Sequence, residues 1–134
     1  MAKILLVDDD PLVVESLLSA MESKGHTVVT ASNGIKALKK FDQSAFDLVV
    51  TDIIMPEMDG IETILKMRCK RSNAKIVAIS GGGRIGNVDY LEAAKKLGAI
   101  AVIEKPFRFE EFFKVLNDCL RESPSAHSLP PPRP

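Results

Sequence analysis

Five short apolar runs, each about the length of one strand, recur along the chain: Lys3-Ile4-Leu5-Leu6-Val7, Thr27-Val28-Val29-Thr30-Ala31, Asp47-Leu48-Val49-Val50-Thr51, Lys75-Ile76-Val77-Ala78-Ile79 and Ile100-Ala101-Val102-Ile103. In most of them the apolar residues are consecutive and do not alternate with polar ones. A strand with one wet face must alternate, so these runs belong to strands covered on both faces. Parallel strands have this property, and they are joined by crossovers long enough to hold a helix. Strands alternating with helices give a doubly wound α/β fold, and right-handed crossovers leave few topologies for it.

The segments between the runs carry helical punctuation. Asp10 precedes Pro11 as an N-cap precedes the first helical turn, Val14, Leu17, Leu18 and Met21 recur at helical spacing, and Gly25 stops the run. Ser32 or Asn33 is placed to cap a helix holding Ile35, Leu38 and Phe41. Ile61, Ile64, Leu65 and Arg68 fit a third helix. Asn87 is placed to cap a fourth, with Leu91, Ala94 and Leu97 inward and Gly98 as its stop. Phe109, Phe112, Phe113, Leu116, Cys119 and Leu120 form the stripe of a fifth. With 134 residues the chain suits one domain, expected over 1–122. Residues 123–134 hold five of the eight prolines and read as a Pro-rich flexible tail or linker; a ligand for an SH3-type groove is the sharper, less favoured reading. Cys69 and Cys119 form no C-x-x-C, which disfavours a zinc site and fits reduced thiols. No stretch reaches membrane-spanning length and no secretory signal is visible, so the expected location is the cytoplasm.

Lys+Arg and Asp+Glu both number 18, which argues against nucleic-acid binding through a strong overall positive field. The balance hides an asymmetry: residues 1–60 carry ten acids and five bases, and residues 61–134 carry eight acids and thirteen bases. In an open α/β sheet the reactive site lies beyond the carboxyl ends of the strands. Strand one exits into Asp8-Asp9-Asp10, strand three at Asp52, strand four at Ser80-Gly81 and strand five at Glu104-Lys105-Pro106. Crowded carboxylates repel one another unless a cation or proton intervenes, and hard oxygen ligands favour Mg²⁺. Lys105 supplies a positive charge suited to a phosphoryl group, Ser80 a hydrogen bond, and a carboxylate beside them is able to attack phosphorus. Each piece has a plainer explanation: Asp10 as a cap, Asp52 as a turn residue, Lys105 as an exposed turn lysine. Their coincidence at one sheet edge favours a phosphoryl-transfer site.

The segments Leu5-Leu6-Val7-Asp8-Asp9-Asp10-Pro11, Asp47 through Gly60 with its D-x-x-M-P-x-M-D-G, Ile79-Ser80-Gly81 and Glu104-Lys105-Pro106-Phe107 together resemble the signature of a CheY-like response-regulator receiver domain of two-component signalling. The resemblance covers residues 3 to about 121. It implies a flavodoxin-like five-stranded parallel sheet of order 2-1-3-4-5 with five helices. It implies Asp52 as phosphoacceptor, with Asp8, Asp9, Asp52 and the backbone carbonyl of Ile54 holding Mg²⁺. Ser80 matches the switch hydroxyl, Lys105 the lysine that pairs with phosphate, and Pro106 a residue whose preceding bond is usually cis. The implied donor is a phosphohistidine on a sensor histidine kinase or phosphotransfer protein. The implied output is a downstream effector met through the face made by helix four, strand five and helix five. Homodimerisation is left open. No separate enzymatic turnover is implied beyond the domain's own phosphorylation and dephosphorylation.

Departures from the family pattern sharpen this expectation. Val102 stands where an aromatic rotamer switch is common, so no aromatic flip is available there. Ile54 and Gly82 occupy positions that tune dephosphorylation, and neither can orient an attacking water, which predicts a persistent phosphoryl group. Gly81-x-Gly83-x-x-Gly86 fits a dinucleotide fingerprint but comes too late in the fold for it, and is expected to be a loop beside Ser80. Asp8-x-Asp10 faintly resembles the nucleophile motif of haloacid-dehalogenase-type Mg²⁺-dependent phosphatases, although Pro11-Leu12 spoils it. A scaffold that never takes phosphate is the other alternative. Lys66, Arg68, Lys70, Arg71 and Lys75 form a basic run that fits a solvated helix end better than a nucleic-acid contact.

Overall fold

In the computed structural model the described residues are 2–53, 60–80, 84–85 and 88–121, with the backbone alone considered at 84–85 and 88–91. The five apolar runs form the sheet strands β1 (Lys3–Val7), β2 (Thr27–Ala31), β3 (Leu48–Asp52), β4 (Ile76–Ser80) and β5 (Ala101–Glu104). They are parallel throughout and lie in the order β2-β1-β3-β4-β5. The helices between them are α1 (Pro11–Ser23), α2 (Gly34–Gln43), α3 (Gly60–Lys70), α4 (Tyr90–Lys96) and α5 (Phe109–Arg121). Consecutive strand residues point to opposite faces, so each apolar run feeds two cores. Leu5, Val7, Val49 and Ile76 pack with Phe41, Ile64 and Met67 of α2 and α3. Ile4, Leu6, Val50 and Val77 pack with Leu17 and Met21 of α1 and Phe112 and Leu116 of α5. The two edge strands open to solvent at one end each, β2 at Thr27 and β5 at Glu104.

Local signals place the helix starts. The Asp10 carboxylate accepts from the Leu12 N–H at 3.0 Å, with Pro11 in the first turn. Asn33, not Ser32, caps α2, accepting from the Lys36 N–H at 2.8 Å. The fourth helix differs from expectation. Val88–Asp89 pairs antiparallel with Arg84–Ile85, and α4 begins only at Tyr90, so its start is not the one an Asn87 cap would set; Asn87 itself lies outside the described residues. Three strands also run one residue later than their apolar runs suggest, which makes Asp52, Ser80 and Glu104 the final strand residues.

The basic run is a solvated helix end only in part: Lys66 and Lys70 are exposed, whereas Arg68, Arg71 and Lys75 reach into the fold. Arg68 is buried and donates through Nη1 to the Ala74 carbonyl at 3.1 Å. Arg71 Nη2 donates to the carbonyls of Phe41 and Ser44, and its guanidinium lies 4.4 Å from the centre of the Phe41 ring. Lys75 Nζ donates to the Cys119 carbonyl at 2.9 Å, and Lys70 pairs with Asp42 at 3.1 Å. The last turn of a helix leaves carbonyls without intrahelical partners, and Arg71 and Lys75 supply donors at those ends of α2 and α5. Cys119 is buried, Cys69 exposed, and neither forms a disulfide.

Candidate functional site

The ladder itself aims the site. Val7 of β1 lies beside Thr51 of β3, Asp52 beside Ile79 of β4, and Ser80 beside Glu104 of β5. Every strand that carries a candidate site residue therefore ends at nearly the same height. Two backbone bonds extend the ladder past those ends: Ile53 N–H to the Ile79 carbonyl at 2.9 Å, and Lys105 N–H to the Ser80 carbonyl at 2.7 Å. The Lys105–Pro106 peptide bond is cis.

Three carboxylates converge there. Oxygens of Asp8, Asp9 and Asp52 lie within 4.8 Å of one another, with Asp8 and Asp52 buried and Asp9 exposed. Lys105 Nζ lies 3.2 Å from Asp8 Oδ2 and 3.3 Å from Asp52 Oδ2. The other Asp8 oxygen accepts from the Asp10 N–H at 2.9 Å, which fixes the carboxylate plane. Burial pushes the Asp8 carboxyl above its usual range; the Asp52 charge adds to this, while the Asp10 N–H and Lys105 oppose it. Burial alone would lower Lys105, but the Asp52 and Asp8 charges outweigh it and hold the ammonium above its ordinary value. Lys105 therefore stays charged near neutral pH. Ser80 is fully buried at the end of β4.

Two residues tune how β3 delivers Asp52. The wholly buried Thr51 hydroxyl donates to the Asp52 carbonyl at 2.9 Å. Its only sequence signal is a hydroxyl where the run otherwise continues apolar. Gly60 opens α3 and donates its N–H to the Ile53 carbonyl at 2.6 Å. A Cβ at Gly60 would fall 2.2 Å from the Asp52 carbonyl oxygen, so only glycine allows this approach. Val102 is half-buried against the α2–α3–α4 core, as an aliphatic residue should be. Ile54, Asp59, Gly81, Gly82, Gly83 and Gly86 lie outside the described residues. A hollow of about 700 Å³ lies at the opposite end of the sheet, beside Ala2, His26, Asp47 and Lys75. Two of the carboxylates, Asp8 and Asp9, border a smaller one of about 220 Å³, shared with Pro11 and Ser32.

A buried carboxylate, a charged lysine and an adjacent acidic pair at one strand edge can neutralise and orient a phosphoryl group. The sequence pattern of the response regulator receiver domain matches residues 4–117. This chain belongs to that family. Among curated receiver relatives, it is 40% identical over 126 residues to the CpxR homologue of Haemophilus influenzae, a transcriptional regulatory protein, covering 93% of this chain and 53% of that protein. It thus spans about half the length of that relative. It is 37% identical over 117 residues to the chemotaxis protein CheY of Listeria monocytogenes, covering 87% of this chain and 96% of CheY. The crystal structure of a receiver domain protein from Clostridium thermocellum superposes with a TM-score of 0.82 at 25% identity, covering 90% of this chain and 94% of that one. TrrA of Thermotoga maritima, solved in complex with Mg²⁺ and BeF, superposes with a TM-score of 0.77 at 33% identity, covering 89% and 99%. The receiver fold, the strand order and a role in response regulation follow. Among the described residues no helix is long and apolar enough to cross a membrane.

Proposed function

We propose that this receiver domain accepts a phosphoryl group on Asp52 from a phosphohistidine of a sensor kinase or phosphotransfer protein, and that the acyl phosphate changes its affinity for an effector. The observation that carries the reading is Lys105 Nζ, placed between Asp8 and Asp52 at 3.2 and 3.3 Å. An Asp52 oxygen attacks phosphorus, the N–P bond of the donor breaks, and its electron pair returns to the imidazole nitrogen. Lys105 holds a positive charge where the phosphoryl oxygens gather, and the Ser80 hydroxyl is the partner that follows them.

The donor set fits a hard divalent cation: three carboxylates with oxygens within 4.8 Å, one of them exposed to admit water ligands. Asp8, Asp9 and Asp52 would hold Mg²⁺, and the Ile54 carbonyl is proposed from the family pattern alone. When bound, the ion offsets the charge of the carboxylates and of the incoming phosphoryl oxygens. Asp8 and Lys105 then act as the fixed wall that orients Asp52. Output through the α4–β5–α5 face, a cytoplasmic location, a domain at 1–122 and a tail or linker at 123–134 complete the proposal.

The test is Mg²⁺-dependent labelling with acetyl phosphate. Wild type should take one equivalent, and Asp52→Ala none. Equal labelling of Asp52→Ala overturns the site assignment. Steady release of phosphate from an ester would identify a haloacid-dehalogenase-type phosphatase instead. No labelling and no beryllofluoride-dependent change in cation affinity would leave a scaffold.

A further inference from the structure

Arg68 is a buried cation that the proposed chemistry does not use. It is 7% exposed, and burial lowers the pKa of its guanidinium. No carboxylate pairs with it among the described residues, and its Nε is buried without a hydrogen-bond partner there. A buried charge without a counter-ion is expensive, so a plain packing role would be better filled by an apolar side chain of similar length. Arg68 does, however, touch two turns at once. Nη1 donates to the Ala74 carbonyl in the turn between α3 and β4, 3.1 Å away. The guanidinium also lies against Gly98, in the turn between α4 and β5. A Cβ at Gly98 would stand 2.6 Å from Nε and 3.1 Å from Cζ. Gly98 has φ +109°, so the same turn excludes other residues twice, by backbone and by space.

That turn is also where α4 is tied down. The Gly98 N–H donates to the Lys95 carbonyl, the Ala99 N–H to Ala94, and the Ile100 N–H to Ile76 on β4. Ala94 is fully buried. We propose that Arg68 is a clamp that fixes the carboxyl end of α4 to the α3–β4 turn, making Gly98 the fixed end about which α4 can be displaced. This rests on the proposed switching of the α4–β5–α5 face. With Gly98 held, displacement starts at the amino end of α4, the end that follows Ser80 in the chain. A signal at Ser80 then reaches the outer face as a tilt of α4, with its length preserved.

Hydrogen exchange of the full chain, followed by mass spectrometry with and without Mg²⁺ and beryllofluoride, tests this in wild type, Arg68→Met and Gly98→Ala. Arg68→Met keeps the side-chain length and removes the uncompensated charge; Gly98→Ala keeps the arginine but displaces it. In wild type, the beryllofluoride-dependent change should spare the Gly98, Ala99 and Ile100 amides. In both variants these amides should exchange at least ~10-fold faster without ligand, and the beryllofluoride-dependent change should extend to them. Arg68→Lys, which can reach one carbonyl but cannot cover Gly98, should recover only part of the protection. Exchange at these amides within ~2-fold of wild type in a folded Arg68→Met overturns the clamp. So does a wild-type change at Gly98 equal to that at the start of α4. Absence of any beryllofluoride-dependent change in wild type overturns the switching reading instead, and the ligand-free comparison still decides the clamp.

Discussion

Replacing Gly60 by alanine adds one methyl group at the tightest contact behind Asp52. The new Cβ would stand 2.2 Å from the Asp52 carbonyl oxygen and 2.4 Å from the Ile53 Cα. Ordinary contact needs about 3.5 Å, so the β3 exit or the first turn of α3 must give way by about 1 Å. Both neighbours are backbone, and no side-chain rotation relieves the clash. Overpacking of this kind costs about 1–3 kcal/mol in stability. The functional cost should be larger, because a reacting group misplaced by about 1 Å can lose ~100-fold in rate. Urea unfolding measures the first quantity. The initial rate of acetyl phosphate labelling with saturating Mg²⁺, expressed per folded molecule, measures the second. Labelling within ~3-fold of wild type would refute the claim that this contact positions Asp52. If stability alone fell, the glycine would serve packing only.

Other perturbations separate the electrostatic parts. Asp8 binds a proton more readily folded than unfolded, so its contribution to stability is present at acid pH and is lost as pH rises through its raised folded value. Asp8→Asn should therefore raise the thermal midpoint at pH 7 in EDTA, and the gain should vanish below the carboxylate range; a lowered midpoint at pH 7 would contradict the burial argument. Mg²⁺ at a hundred times its dissociation constant should stabilise wild type by about 2.7 kcal/mol and should act far more weakly on Asp8→Asn, read by calorimetry. Arg71→Ala removes both the donors to Phe41 and Ser44 and the contact with the Phe41 ring. It should cost about 1–3 kcal/mol in urea unfolding, and Arg71→Lys should recover less than half because it lacks the planar fork.

What could be read from the chain depended on how local its cause was. Consecutive apolar residues require burial on both faces, so the β1 and β2 runs match their strands residue for residue. Hydropathy could not place the end of β3, because a ladder ends where its last bond is made, and Ile53 bonds to Ile79 on another strand. Arg68 sat at the right helical spacing to face inward, yet its charge in a basic run pointed outward. The deciding partners, Ala74 and Gly98, become neighbours only in the fold. Arg71 is similar, since the carbonyls it reaches are 30 and 27 residues away. The small ribbon did have a local signal: Gly86-Asn87 between Ile85 and Val88 is a two-residue hairpin sequence, masked by the competing glycine pattern around it. The Asp8–Asp52–Lys105 cluster was legible because all three leave parallel strands at the same edge, and topology does the gathering.

The basic side chains at the amino ends of the strands have an acidic counterpart at the carboxyl ends. Arg68, Arg71 and Lys75 gather toward the amino ends of the strands, whereas Asp8, Asp9 and Asp52 gather at the carboxyl ends, with Lys105 the one cation among them in the described residues. The formal charge of that carboxyl-end cluster is −2, from three carboxylates and one ammonium. Under the proposed phosphotransfer an anionic donor would approach a repelling pole, and one divalent cation would bring the pole to zero. Cation binding would then govern how often the donor arrives, in addition to what happens on arrival. Added salt should speed donor encounter with the cation-free domain and hardly alter it for the loaded one.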